Sequence, residues 1–357
     1  MTAPRLVVDL GALEHNARAL VARLAPFGIE ITAVTKSFLG SPVMARALLA
    51  GGVRSLGDSR VENIVRLREA GIECPMTLIR SPMISQVDDV VRWVDTSLVT
   101  EVAVIEALSA AAVRQGRPHR VIVMVELGDL REGVMPEDLA SMIRLILSLP
   151  QLDLAGVGTN LACQSGVVPD EQNMGDLSRV VASVEAELDL RLEVISGGNS
   201  ANLDWLEAGL GSGRVNSLRL GEAVLLGCEP LHRRVLPGLR TDVVTLVAEV
   251  IESKVKPRLP WGAQAQGAFG EPEAMSGSGH MRRTIVALGR QDVDPDGLTP
   301  PTGVRVLGSS SDHLVLDVSD AAEPSGEVGS EITFGLNYSA VLRAMTSPFV
   351  SMEFIRR

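Results

Sequence analysis

The chain has 357 residues, 46% of them hydrophobic and 22% charged, with a formal net charge of -11; it is long enough for two well-cored domains and too acidic for a nucleic-acid footprint. Its three cysteines, Cys74, Cys163 and Cys228, are odd in number and form no C-x-x-C pair, which excludes a disulfide framework and a cysteine zinc site and points to a reducing compartment. Asp9 and Glu14 interrupt the start where a signal peptide needs an apolar core, and no apolar stretch reaches membrane-span length, so a cytoplasmic protein with no membrane partner and no metal is expected.

Strand-like runs recur along the first two thirds: 31–36, 54–59, 75–80, 96–100, 120–127, 154–161, 192–198 and 216–223. Between them, segments such as "SPVMARALLAGG" and "PEDLASMIRLILSL" place apolar residues at three- and four-residue spacing, the pattern of amphipathic helices. Eight parallel strands separated by helices predict a (β/α)₈ TIM barrel over 10–235, and the count and length favour closure over an open doubly wound sheet. After about residue 236 the period falls to two in "VVTLVAEVIESKVK", "RRTIVALG", "VRVLGSSSDHLVLDV", "SEITFGL" and "FVSMEF". That predicts an antiparallel β domain over 236–357, to which residues 1–9 are added. The Gly, Pro and Ser-rich stretch 260–280 reads as a long mobile loop.

In a TIM barrel, chemistry gathers at the carboxyl ends of the strands. Lys36 ends the first strand, where burial lowers an ammonium pKa; it reads either as a Schiff-base lysine or as a surface lysine. After the seventh strand, Gly197 and Gly198 let backbone approach an anion, and Asn199 or Ser200 can cap a following helix, a phosphate cradle in the expected place. After the fifth, Arg131 can hold a carboxylate bidentately or sit in a solvated loop. A lysine, a phosphate cradle and a carboxylate clamp together describe pyridoxal 5'-phosphate with an amino acid.

Several motifs then give a specific resemblance. "VVDLGALEHNARAL", "AVTK", "SLRLGEAVLLG" and "GLNYSAVL" are similar to the opening, lysine, late-barrel and late-domain segments of the fold-type III enzymes of the alanine racemase family. "GDSRVENI", "VELGDLREG", "GTNLACQSGVVPDEQN", "ISGGNSANL", "GRQDVDPDGL" and "SSDHLVLDV" resemble its ornithine racemase-like branch. The resemblance covers nearly the whole chain. It implies that Lys36 carries the cofactor as a Schiff base, that Ser200, the amides around Gly221 and Glu222, and Tyr338 bind its phosphate beside Gly198 and Asn199, and that Arg219 faces the pyridine nitrogen. It also implies that Arg131 binds the substrate carboxylate and that the protein is a homodimer with shared active sites. Decarboxylases of this fold place a carboxylate where Arg219 stands; an arginine cannot keep the nitrogen protonated, so the ring is a weaker electron sink.

The departures matter as much. The family's tyrosine four residues after the lysine is Gly40 here, and its opposite-face tyrosine is replaced by Arg290. A histidine after strand six is replaced by Asn160. Racemisation needs a proton donor and acceptor on each face of a planar intermediate. Lys36 serves one; His313, Asp292, Asp312 and Cys163 are candidates for the other, with His313 leading because histidine is the residue type suited to proton transfer near neutrality and because its segment matches one that, in the family, reaches the partner's site. Cys163 reads otherwise as a small buried apolar residue, and Glu62 and Asn63 as polar residues of a helix face. Gly40 suggests a roomy pocket, and Asp292, Asp294 and Asp312, with Ser311, suggest partners for a side-chain ammonium. The expected function is racemisation of ornithine or another basic amino acid. A decarboxylase or lyase of the same fold and a non-catalytic carrier of the cofactor remain alternatives.

Overall fold

A computed structural model describes residues 2–209, 211–270, 276–321 and 326–357. The chain begins with β1 (Arg5–Asp9) and α1 (Leu10–Leu24) and then alternates. The order is β2 (Glu30–Val34), α2 (Pro42–Ala50), β3 (Ser55–Asp58), α3 (Val61–Glu69), β4 (Met76–Leu78), α4 (Val87–Trp93), β5 (Thr96–Val99) and α5 (Val102–Gln115). It continues with β6 (His119–Met124), α6 (Leu139–Ser148), β7 (Leu152–Gly158), α7 (Glu171–Leu188), β8 (Val194–Ser196), α8 (Asn202–Glu207), β9 (Ser217–Leu220) and α9 (Glu222–Leu226). Strands β2 to β9 form a closed parallel barrel, shut by the pairing of Glu30–Ala33 with Ser217–Leu220. The TIM barrel is therefore present. Inside it, Leu98, Ile122, Met124 and Ala155 pack as one buried cluster, the layered filling that makes such a barrel a core and not a pore.

The barrel strands are shorter than the apolar runs that announce them. "ITAVTK" leaves the ladder after Val34, and "LAGVGTNL" after Gly158. A β-branched run has no marker for where its neighbours stop pairing, so alternation overshoots into the loops. The overshoot is where Lys36 and Asn160 lie.

The second unit comprises residues 1–12 and 242–357, the first residues 13–241. It contains β10 (Val244–Pro257), β11 (His280–Val286), β12 (Leu298–Thr299), β13 (Arg305–Ser309), β14 (Leu314–Asp317), β15 (Glu331–Leu336), α10 (Tyr338–Thr346) and β16 (Ser351–Ile355). Long β10 bulges between Val250 and Glu252. Before the bulge it pairs with β1 and β15, after it with β11. Leu6, Leu246 and Phe334 face one another across three strands, and each is fully buried. The sheet is antiparallel except for β1 with β16, which run parallel. Helix α10 was hidden by the period-two reading, although Asn337 caps it by accepting from the Ala340 amide at 2.9 Å and Ala340, Val341, Ala344 and Met345 form its buried face. Of the loop expected to be mobile, residues 271–275 lie outside the described residues; Gly267 and Gly270 bond to each other within it.

Candidate active site

Lys36 follows Thr35 directly after β2 and opens a short 3-10 turn, Lys36–Phe38. Leu39 and Gly40 then adopt left-handed conformations, φ 54° and 60°, and the Gly40 amide returns to the Thr35 carbonyl at 3.2 Å. A Cβ on Gly40 would lie 2.8 Å from the Asn63 carbonyl oxygen. The turn and its contact with α3 therefore demand glycine there, a reason independent of the pocket's size.

The chain has three lysines. Lys254 and Lys256 lie on β10 and pair with Glu252. Lys36 is half-buried, and its ammonium makes no hydrogen bond or ion pair among the described residues. Burial pushes its pKa below the ordinary lysine range, with Arg131 pushing the same way, against a smaller opposing pull from Cys163, Asp58 and Glu132.

Arg131, in the loop after β6, pairs with Glu132 and donates to Cys163 Sγ at 2.7 Å. Cys163 is exposed, which corrects the expectation of a buried apolar residue. The two loops are tied together by Asp129, which sequence reasoning overlooked. Its buried carboxylate accepts from the amides of Gln164 at 2.8 Å, Cys163 and Ser165 at 3.2 Å, and Val167 at 3.4 Å. Burial alone would raise this carboxyl; the amides outweigh it and hold the pKa below the usual range. The only signal in the sequence was an aspartate two residues before the arginine.

After β8, Gly198 has φ 137°, and a Cβ there would lie 2.4 Å from Asn202 Oδ1. Buried Asn202 spans the turn, accepting from the Asn199 amide at 3.0 Å and donating to the Gly197 carbonyl at 2.9 Å. Asn199 donates to the Leu161 carbonyl at 2.8 Å and to Asn160 Oδ1 at 3.2 Å. Ser200 Oγ accepts from the Ala223 amide at 3.2 Å, joining this turn to the one after β9. Glu222, beside Gly221 in that turn, pairs with Arg233.

Arg219 points from β9 into a buried position. It donates to Ser196 Oγ, to the Thr159 carbonyl at 2.7 Å and to Asn160 Oδ1 at 3.3 Å. Burial pushes its pKa down to about 10, so it is a cation at neutral pH. Asn160 thus accepts both Arg219 and Asn199, linking three strand ends. On the other side of Lys36, Asp58 is fully buried and bonded to Thr35 and Asn63. Both expected helix-face residues lie on α3: Asn63 on its buried face, bonded to Asp58, and Glu62 on its exposed face, bonded to Gln86.

The β unit carries the remaining predicted residues. His313 Nδ1 lies 2.8 Å from Asp312 Oδ1, and both side chains are about half exposed, at 44% and 57%. Ser311 Oγ bonds the same Asp312 oxygen at 3.2 Å. Asp292 is 5% exposed, accepting from the Gly289 amide and from Ser347 Oγ at 3.1 Å each. Asp294 caps a turn and binds Ser339. Both aspartates are engaged in the fold of their own unit, which leaves Asp312 as the open carboxylate of the three. Arg290 stacks on the Phe269 ring at 5.1 Å. Tyr338 is the first residue of α10. No helix among the described residues is long and apolar enough to cross a membrane.

A family model for the alanine racemase N-terminal domain matches residues 8–230. The lysine racemase of Thermotoga maritima is 38% identical over 99% of both chains, and the ornithine racemase of Acetoanaerobium sticklandii is 34% identical, again over 99% of each. The solved alanine racemase of Streptomyces coelicolor A3(2), at 22% identity, shares the fold with a TM-score of 0.78 over 99% of this chain and 98% of that one. With a matching domain model over most of the chain and two racemases alike from end to end, this protein belongs to the alanine racemase family.

Proposed function

We propose that the protein interconverts the L and D forms of a basic amino acid, lysine or ornithine, using pyridoxal 5'-phosphate. The observation that carries the reading is Lys36: the one lysine of the barrel, half-buried, unpaired among the described residues and at the carboxyl end of its first strand. The two full-length relatives, both named as racemases of basic amino acids, support the substrate class.

The residues present fit the cofactor. A turn with no room for a Cβ at Gly198 lets backbone reach an anion, so Gly198, Asn199, Ser200, Gly221 and Glu222 would hold the phosphate, with Tyr338 as the resemblance implies. Buried Arg219 would face the ring nitrogen as a donor. When bound, the cofactor supplies an electron sink that acidifies the substrate α-hydrogen.

The chain's own groups do the rest. Arg131, held by Glu132, presents its guanidinium to the substrate carboxylate. Lys36 Nζ, with its proton affinity lowered by burial, removes or returns the proton on one face. His313, oriented by Asp312, serves the other, as half of a site shared between two copies of the chain. Asp312 pairs with the substrate's side-chain ammonium. Arg219 cannot donate a full proton to the ring, which keeps the sink weak and favours return of the proton over side reactions. Residence in the cytoplasm belongs to the same reading.

The test is a chiral assay of the purified protein with lysine, ornithine and alanine, combined with borohydride reduction and peptide mapping. Lysine or ornithine should be racemised in preference to alanine, with the reduced cofactor on Lys36. Preference for alanine would overturn the substrate class, and label on Lys254 or Lys256 would overturn the site.

A further inference from the structure

We infer that Asp58 is a positioning residue for Lys36, fixing the lysine's turn through Thr35 and favouring the lysine's protonated form by its charge. The inference rests on the reading of Lys36 as the cofactor-bearing lysine and goes beyond it by assigning a role to a buried carboxylate in the neighbouring strand.

Three observations carry it. The first is contact. Thr35, the residue immediately before Lys36, donates its amide to the Gly57 carbonyl at 2.8 Å and its hydroxyl to Asp58 Oδ2 at 2.6 Å. The Thr35 carbonyl accepts from the amides of Phe38 and Gly40, both at 3.2 Å. The turn bearing Lys36 is therefore closed on one residue whose side chain is held by Asp58.

The second is the donor set around the carboxylate. Asp58 Oδ1 accepts from the Arg60 amide at 2.9 Å and from Asn63 Nδ2 at 3.0 Å, while Oδ2 takes the Thr35 hydroxyl. The Arg60 amide and Asn63 Nδ2 donate to the carboxylate, and the Thr35 hydroxyl has both Asp58 Oδ2 and, at 3.3 Å, the Gly57 carbonyl as acceptors. Burial opposes ionisation and holds the Asp58 carboxyl above the usual carboxylate range, the hydrogen bonds from Thr35, Arg60, Asn63 and Ser59 offsetting part of that push. A fully buried carboxyl so placed is costly to the fold, and a threonine anchor alone would be served by a neutral acceptor.

The third is electrostatic. The groups whose charge acts on the lysine are Cys163, Arg131, Asp58 and Glu132. Arg131 and burial lower its proton affinity; Asp58 works against both from the side of β3, fixed by three partners. Cys163 and Glu132 lie in or beside the exposed loops after β7 and β6. Of the groups that favour the protonated lysine, Asp58 is the one that ends a barrel strand, β3, and is bonded to three partners there.

Asp58→Asn keeps shape and removes charge, and Thr35→Val removes the hydroxyl link. Thr35→Ser should restore it. Each is made in the full-length, cofactor-loaded protein, and the pH midpoint of the visible chromophore formed with Lys36 is followed spectroscopically. Losing a nearby negative charge disfavours the protonated form, so Asp58→Asn should move the midpoint about one unit to lower pH. Its kcat should fall roughly tenfold or more with KM little changed. Thr35→Val should lower kcat with a smaller midpoint shift, and Thr35→Ser should behave as wild type. An unchanged midpoint in Asp58→Asn, with Lys36 labelled by borohydride and only the melting temperature lowered, would leave Asp58 a structural residue and sink the inference alone. Label on another lysine in the wild-type protein would remove the underlying reading and the inference with it. Should Asp58→Asn fail to fold, equal behaviour of Thr35→Val and wild type in both readouts would refute the positioning role.

Discussion

At the scale of single residues, burial decides what a histidine can do. His313 is half exposed beside Asp312, and as a positioned acid–base group its loss should matter: His313→Asn should slow racemisation in both directions by roughly 10²–10⁴. The cofactor chromophore should persist, and substrate α-proton exchange with deuterated solvent should survive for one enantiomer. Retention of near wild-type turnover would put the second base elsewhere. His119 is the contrasting case. It is buried in the barrel with Nε2 at 2.9 Å from Ser97 Oγ, and its Nδ1 has no partner among the described residues. Burial, reinforced by Arg117, holds its pKa at about 4 against 6.5 for an ordinary histidine. Between those values the unfolded chain binds a proton that the folded one refuses, so stability falls as pH drops through that window. The effect is up to about 3 kcal/mol. Urea midpoints at pH 7 and pH 5 should therefore differ more for wild type than for His119→Asn; equal differences would refute it.

At the scale of elements, the barrel mouth is organised by carboxylates and amides that stitch loops together. Asp129 joins the loop after β6, which bears Arg131, to the loop after β7, which bears Cys163. Asp129→Ala would leave four amides of residues 163–167 without this acceptor, at a cost of roughly 1–3 kcal/mol. It should also loosen the Arg131 loop and raise KM for the amino acid more than it lowers kcat. Thermal melting and steady-state kinetics check both halves. An unaltered KM would mean the two loops are independent. The sequence made the elements legible but not these stitches. Eight apolar runs with helical intervals are visible in a linear pattern, whereas Asp129 acts on amides thirty-four to thirty-eight residues away, a separation that no periodicity encodes. Helix α10 was missed for a different reason: it is short, and its capping Asn337 follows a strand without a break.

At the scale of the whole molecule, Lys36 and His313 belong to different units, and the proposed function assigns them to different copies of the chain. A mixture of inactive Lys36→Ala and inactive His313→Asn proteins, allowed to exchange, should then regain roughly a quarter of wild-type activity, since half the dimers are mixed and each restores one of two sites. No recovery after demonstrated exchange would place both residues in one copy. What the sequence alone determined was the barrel, the β-rich second unit and the lysine, because strand and helix periods and a strand-end residue are local properties of the chain. Tertiary structure decided what surrounds them. It buried Asp58, Asn63, Asp129 and Asp292, exposed Cys163, and made Gly40 a requirement of a turn. Burial and hydrogen-bond partners depend on which distant segments meet, and a residue's chemistry follows from them.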